Sequence, residues 1–220
     1  MRTQTIIGSV ICGLLFMAHG ASATPVTTLT PLTSDGTNVY AIYLFSLGGD
    51  TLNLSEVRPD SVSNIFCNNS NNGCTAATVG QTVYLGDPGP GLVFGLSDLT
   101  VPASYTTDAL GTDGYAHDIV SATVNAGDAA AVNAAFETFG FGPLTAAGAA
   151  PIALLGQTPG TVVTFVEFED RIGGDYDYND FVFAFTDPPG PAGVPEPMTL
   201  AMFGFGLAAL AGFGRRIRKI

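Results

Sequence analysis

The sequence predicts a mainly β domain, an antiparallel β-sandwich of jelly-roll type with one short helix, flanked by an N-terminal signal helix and a C-terminal membrane-spanning helix. Three observations carry this reading. Short β-prone runs recur along the chain, turn-forming residues separate most of them, with 28 glycines among 220 residues, and helix formers concentrate in a single alanine-rich stretch.

Taken in order, residues 24–37 are rich in Thr and Pro and read as an extended leader or a first edge strand. Val39-Tyr40-Ala41-Ile42-Tyr43-Leu44-Phe45 combines aromatic and aliphatic residues suited to a pleated surface and stops at the turn signal Gly48-Gly49-Asp50. Comparable runs predict strands at 63–67, 82–85, 92–96, 119–124, 162–168 and 181–185. A helix is predicted over 128–138, where alanines follow Asn125-Ala126-Gly127 and end before Gly140. Residues 142–151 read as a small-residue loop, and 188–193, with Pro and Gly, as a linker. No internal repeat is visible, so residues 24–187 form one domain, long enough to bury a sizeable core.

The two ends differ from this body. Residues 1–23 combine a charge at Arg2, an apolar run over 6–18 and the small residues Ala21-Ser22-Ala23, the pattern of a secretory signal peptide cleaved after Ala23. Sec-type export follows. At the other end Val194-Pro195-Glu196-Pro197 precedes an apolar stretch over 198–213 and a basic tail over 215–219 that includes Arg215, Arg216 and Arg218. As a helix the apolar stretch would reach about 24 Å, short of the roughly 30 Å hydrocarbon core unless the flanking arginines snorkel. The excess of positive charge places the basic tail in the cytoplasm and residues 24–197 across the membrane.

Residues 194–220 resemble the PEP-CTERM sorting domain of Gram-negative bacteria, on the Pro-Glu-Pro motif, the short span and the arginines in that order. The resemblance implies an exosortase, a membrane protease acting near Glu196, so that membrane association is transient and the domain ends at the cell surface or outside. It also implies a link to exopolysaccharide and biofilm production. A plain single-span anchor is the alternative. Prolines on both sides of Glu196 suit a recognition site, because they hold the backbone extended and outside the helix.

Between residues 24 and 197 only Arg58 and Arg171 oppose all nineteen acidic residues, a formal charge of −17. So acidic a surface repels phosphate backbones, which argues against nucleic acid, and makes divalent cations the natural counter-charge. Cys67 and Cys74 remain after signal cleavage and enclose six turn-forming residues. In an oxidising compartment such a pair predicts a disulfide, worth about 2.5 kcal/mol on a chain-entropy argument. Metal ligation is the other reading, but no His or further Cys lies nearby.

The densest chemistry is Glu167-Phe168-Glu169-Asp170-Arg171-Ile172-Gly173-Gly174-Asp175-Tyr176-Asp177-Tyr178-Asn179-Asp180. If 175–179 is extended, Asp175, Asp177 and Asn179 share one side and Tyr176 and Tyr178 the other. Calcium takes six to eight oxygens at flexible distances, and donors two residues apart supply them. An EF-hand is excluded, since its sixth and twelfth positions would fall on Asp180 and Thr186 where Gly and Glu are needed. A β-loop calcium site would use Asp175, Asp177 and Asn179, with Glu169, Asp170, Asp180 or Glu167 completing the shell. The alternative is that these carboxylates cap turns and pair with Arg171. Residues 164–185 are also similar to the acidic signature of an uncharacterised exported bacterial β-domain, which implies calcium binding and no established activity.

Catalytic signatures are absent: there is no nucleophile elbow, no zinc-protease helix and no phosphate loop. His117 reads as a solvated surface residue. Glu167 and Glu169, about 7 Å apart on one strand face, have the spacing of a glycosidase pair, but the chain has no Trp to stack sugars. The expectation is a non-catalytic, calcium-stabilised envelope or matrix protein. The alternative is a carbohydrate- or ligand-binding module using Tyr105, Tyr115, Tyr176 and Tyr178, whose other reading is ordinary strand packing.

Overall fold

The computed structural model describes residues 25–34, 37–89, 91–120, 123–138 and 140–189. The expected signal peptide, the sorting tail with its span and most of the linker lie outside them. Among the described residues no helix is long and apolar enough to cross a membrane.

The chain runs through β1 (Val39–Phe45), β2 (Leu52–Arg58), β3 (Phe66–Cys67), β4 (Thr82–Gly86), β5 (Val93–Asp98), β6 (Ala103–Thr106), β7 (Asp118–Val120) and β8 (Val124–Asn125). Helices α1 (Ala129–Glu137) and α2 (Ala146–Leu155) follow, then β9 (Val162–Phe168) and β10 (Phe181–Asp187). The strands form two sheets, one in the order β4-β1-β10-β9-β7 with β8 also on β9, the other in the order β3-β2-β5-β6. All strand pairs are antiparallel.

Alternation along the strands explains the layering. In β10, Phe181, Phe183 and Phe185 face the second sheet, where they share one apolar cluster with Leu52 and Leu54 of β2 and Phe94 and Leu96 of β5. The Phe94 ring meets Phe183 edge-on at 4.7 Å and Phe185 at 5.8 Å, geometry that adds to the area term. The intervening Val182 and Ala184, with Val163 and Phe165 of β9 and Ile42 and Leu44 of β1, turn the other way onto Val132 and Phe136 of α1 and Ile152 of α2. The larger sheet is therefore covered on both faces. That is why its central strands read as unbroken apolar runs, whereas β2 alternates Leu52 and Leu54 with Asn53 and Ser55.

Two segment expectations are corrected, over 142–151 and 119–124, and the described residues hold two helices where the sequence predicts one. Residues 142–151 are not a loop throughout, because α2 occupies 146–155: Thr145 caps it by accepting from the Gly148 amide at 3.2 Å, and alanine propensity outweighs Gly148 and Pro151. Pro151 has no N–H for the Ala147 carbonyl four residues earlier, and Gly80 packs beside that carbonyl, where a Cβ would come within 2.3 Å of it. The run over 119–124 divides into β7 and β8, both on β9. Strands β2 and β6 go unforeseen, because Asn53, Ser55 and Glu56 in the first and Ser104 in the second dilute their apolar signal. The extended segment before β1 contributes no named strand over 25–34, although the Val26 carbonyl accepts from the Ala116 amide at 2.7 Å.

Cys67 and Cys74 are joined with Cα atoms 5.9 Å apart. Their loop packs beside the start of β2, where Asn68 Oδ1 accepts from the Leu52 amide at 2.8 Å.

Candidate metal centre

The turn joining β9 to β10 carries the acidic cluster, and its base is set by strand register. Phe168 pairs with Phe181, so Glu169 and Asp180 are the next residues out on the two strands. The Asp170 amide donates to Asp180 Oδ2 at 3.0 Å. The Leu47 amide donates to the Asn179 carbonyl at 3.0 Å, and the Ser46 hydroxyl donates to the Asp180 carbonyl. The loop between β1 and β2 thereby forms one wall, and Gly48 keeps it open. A Cβ there would lie 3.1 Å from Asp170 Oδ2 and 3.2 Å from Asp180 Cβ. Gly174 does the same opposite, since its Cβ would fall 2.3 Å from Glu169 Oε1.

Residues 175–179 are not a strand. Tyr176 and Tyr178 both have φ of +53°, a left-handed conformation that costs a residue with a Cβ about 1–2 kcal/mol. Hydrogen bonds hold them there. The Tyr176 hydroxyl donates to Asp113 Oδ2 at 2.8 Å and accepts from the Gly173 amide at 3.2 Å. The Tyr178 hydroxyl donates to the Ala116 carbonyl at 3.0 Å and accepts from the Val26 amide at 3.2 Å. The tyrosines therefore point away from the carboxylates, as alternation predicts, but the backbone reaches that arrangement by left-handed turns.

Carboxylate oxygens collect in two groups, Glu169 with Asp170 and Asp180, and Glu169 with Asp175 and Asp177. Within each, the atoms lie within 4.8 Å of one another. Oxygens bound to one calcium at 2.3–2.6 Å stand no more than about twice that distance apart, so each group has the dimensions of part of a coordination shell. Glu169 is 1 % exposed, and its Oε2 has no hydrogen-bond partner. Burial first, then the charges of Asp180, Asp175, Asp170 and Asp177, push its carboxyl up to about 8. Burial and the Asp180 charge push Asp170 up to about 7, and Asp180 is raised too, chiefly by burial. The neighbouring guanidinium does not relieve this crowding: Arg171 binds Asp50 Oδ2 through Nη2 at 2.7 Å and Nε at 3.1 Å, leaving Asp170 at 3.8 Å.

Two candidate ligands stand differently from the sequence expectation. Asn179 turns its side-chain amide onto the Asp177 carboxylate. Glu167 belongs to neither group: it lies on the helix-facing side of β9, buried, with Oε1 unpartnered and its carboxyl pushed up to about 10 by burial. His117 is not a solvated surface residue. It is 1 % exposed and stacked on Tyr105 with ring centroids 4.0 Å apart. Its Nε2 faces Asp113 at 3.2 Å and its Nδ1 the Glu169 carbonyl at 3.3 Å. Its own carbonyl accepts from the Glu169 amide at 2.9 Å, so the histidine braces the backbone under the cluster. Tyr105, Tyr176 and Tyr178 are buried, so their rings pack inside the domain, and Tyr115 is half-buried, edge-on to Tyr176 at 5.6 Å. Sequence reasoning missed Gly48, Asp50 and Asp113 as parts of this centre, because they converge only through the tertiary fold.

Comparison with known proteins bears on the C-terminus. The family model described as the PEP-CTERM protein-sorting motif matches residues 193–219, the segment that carries Pro195-Glu196-Pro197 and the basic tail. The motif marks a protein exported to the cell envelope or surface and processed by an exosortase. No curated protein matches the chain.

Proposed function

Starting from a chain that carries a PEP-CTERM sorting motif, we propose that its body is a non-catalytic β-sandwich of the bacterial envelope or extracellular matrix whose fold is clamped by calcium between β9 and β10. One observation supports this above the others. Glu169 is buried with an unpartnered oxygen among four further carboxylates, and the adjacent arginine is taken by Asp50. Without a cation, burial first and mutual repulsion second disfavour the ionised forms, and the raised proton affinities of Glu169, Asp170 and Asp180 express that cost. A divalent ion would reverse the shifts and bind the two strands together through Glu169 on one side and Asp180 on the other.

The oxygen-only donor set, the open flank at Gly48 and Gly49 and the donors on a loop favour calcium over softer metals. Export carries the domain to compartments where the weak sites of extracellular modules are filled, and where the Cys67–Cys74 bond persists. The acidic, lysine-free surface suits a solvated matrix component that meets exopolysaccharide through bridging cations.

The test is thermal unfolding of the purified chain in detergent, after chelation and again with millimolar calcium. A ligand that binds only the folded state at a hundred times its Kd stabilises by about 2.7 kcal/mol, an upward shift of several degrees for a domain of this size. Glu169→Gln is expected to remove at least about half of the response. An unchanged melting temperature in the parent overturns the reading.

A further inference from the structure

We infer that the cluster holds two cations side by side, with Glu169 as a shared ligand between them. This rests on the calcium reading above and deepens it. The five carboxylates do not form one shell. They divide into Glu169, Asp170, Asp180 and Glu169, Asp175, Asp177, each compact to within 4.8 Å, and only Glu169 belongs to both. A carboxylate has two oxygens and can ligate two ions at once, which is how paired-metal sites with ions about 3.5–4 Å apart are bridged.

Glu169 is placed for this role. It is 1 % exposed, its Oε2 has no protein partner, and its Oε1 lies against Gly174, where any side chain would collide with it. The two subsites open differently. The Asp170–Asp180 side is bounded by Gly48 of the β1–β2 loop, and the Asp175–Asp177 side belongs to the left-handed turn pinned by Tyr176 and Tyr178.

Charge points the same way. One divalent ion leaves the five clustered carboxylates with a net charge of about −3, and two leave about −1. Backbone carbonyls and water would supply the remaining oxygens that calcium requires.

The experiment is calcium stoichiometry on the purified full chain in detergent, by equilibrium dialysis after chelator treatment, with circular dichroism to check that each variant stays folded. Two ions per chain are expected in the parent. Asp175→Asn with Asp177→Asn is expected to leave one, and Glu169→Gln to weaken both steps at least tenfold. The parent measurement stands even if a variant fails to fold. A single ion in the parent, lost equally from either side, overturns the paired site and leaves the calcium reading intact. Two ions of which Glu169→Gln removes only one overturn the bridge. No bound ion in the parent overturns both.

Discussion

Phe183→Ala is expected to destabilise the domain by about 3–5 kcal/mol, the range for emptying a fully buried phenylalanine position. Phe183 is completely buried in the middle of β10. Its ring meets Phe94 of the second sheet at 4.7 Å and stacks on Phe168 of β9 at 6.4 Å. Truncation removes one of the aromatic contacts between the two sheets and leaves a cavity that flanking strands, fixed by their hydrogen bonds, cannot collapse to fill. Urea unfolding followed by far-UV circular dichroism measures the change. A midpoint within about 1 kcal/mol of the parent would show that the sheets are held together elsewhere.

Asp118→Asn is expected to act in the opposite direction and only at high pH. Asp118 begins β7 opposite Phe168. Both its carboxylate oxygens are buried without partners, and burial, aided by the Asp108 charge, pushes the group up from 3.8 to about 7. The sign follows from proton binding. Below about pH 4 the carboxyl is protonated in both folded and unfolded chains and contributes no pH dependence. Between there and about pH 7 the folded chain keeps a proton that the unfolded chain releases, so stability falls as pH rises, by up to about 1.4 kcal/mol per unit. Above that window the full penalty remains. The asparagine variant has no such proton to lose, so it should match the parent at pH 5 or trail it slightly, and exceed it by about 2–4 kcal/mol at pH 8. Glu169 and Asp170 titrate in the same interval but do so in both proteins, so the difference between the two unfolding curves isolates Asp118. A difference independent of pH would show that the carboxyl titrates normally.

The elements that could be read from sequence are those whose burial leaves a one-dimensional trace. Strands β1, β9 and β10 stood out because both faces of their sheet are covered, and α1 because Asp128 and a run of alanines mark a helix start. Strand β2 did not, because its outer face is polar and its inner face contributes only Leu52 and Leu54 before a buried glutamate. Helix α2 was hidden by glycine and proline, whose local effects are overridden by packing of Gly148 against Leu44 and of Ile152 in the core. Spacing of the aspartates between 175 and 180 announced the acidic centre, and alternation foresaw that the tyrosines would face away from them. What could not be foreseen was the division into two groups, or the use of Tyr176, Tyr178 and His117 as internal braces. Those depend on the loop before β7, more than fifty residues away in sequence, arriving beneath the turn.

Strand β10 also has a mechanical meaning. It is hydrogen-bonded on both edges, to β1 and to β9, and the chain leaves its far end toward the segment that carries the sorting motif. Consider a pull through that tail directed along the strand axis. It must slide β10 past two antiparallel neighbours together, because no free edge is presented for peeling them apart bond by bond. The acidic centre sits at the opposite end of the same strand, about 23 Å away at ordinary strand rise, so an ion bound there would act as a stop against sliding. Force spectroscopy with the molecule held by its C-terminus should then show rupture forces that fall when calcium is removed, and forces indifferent to calcium would rule this out.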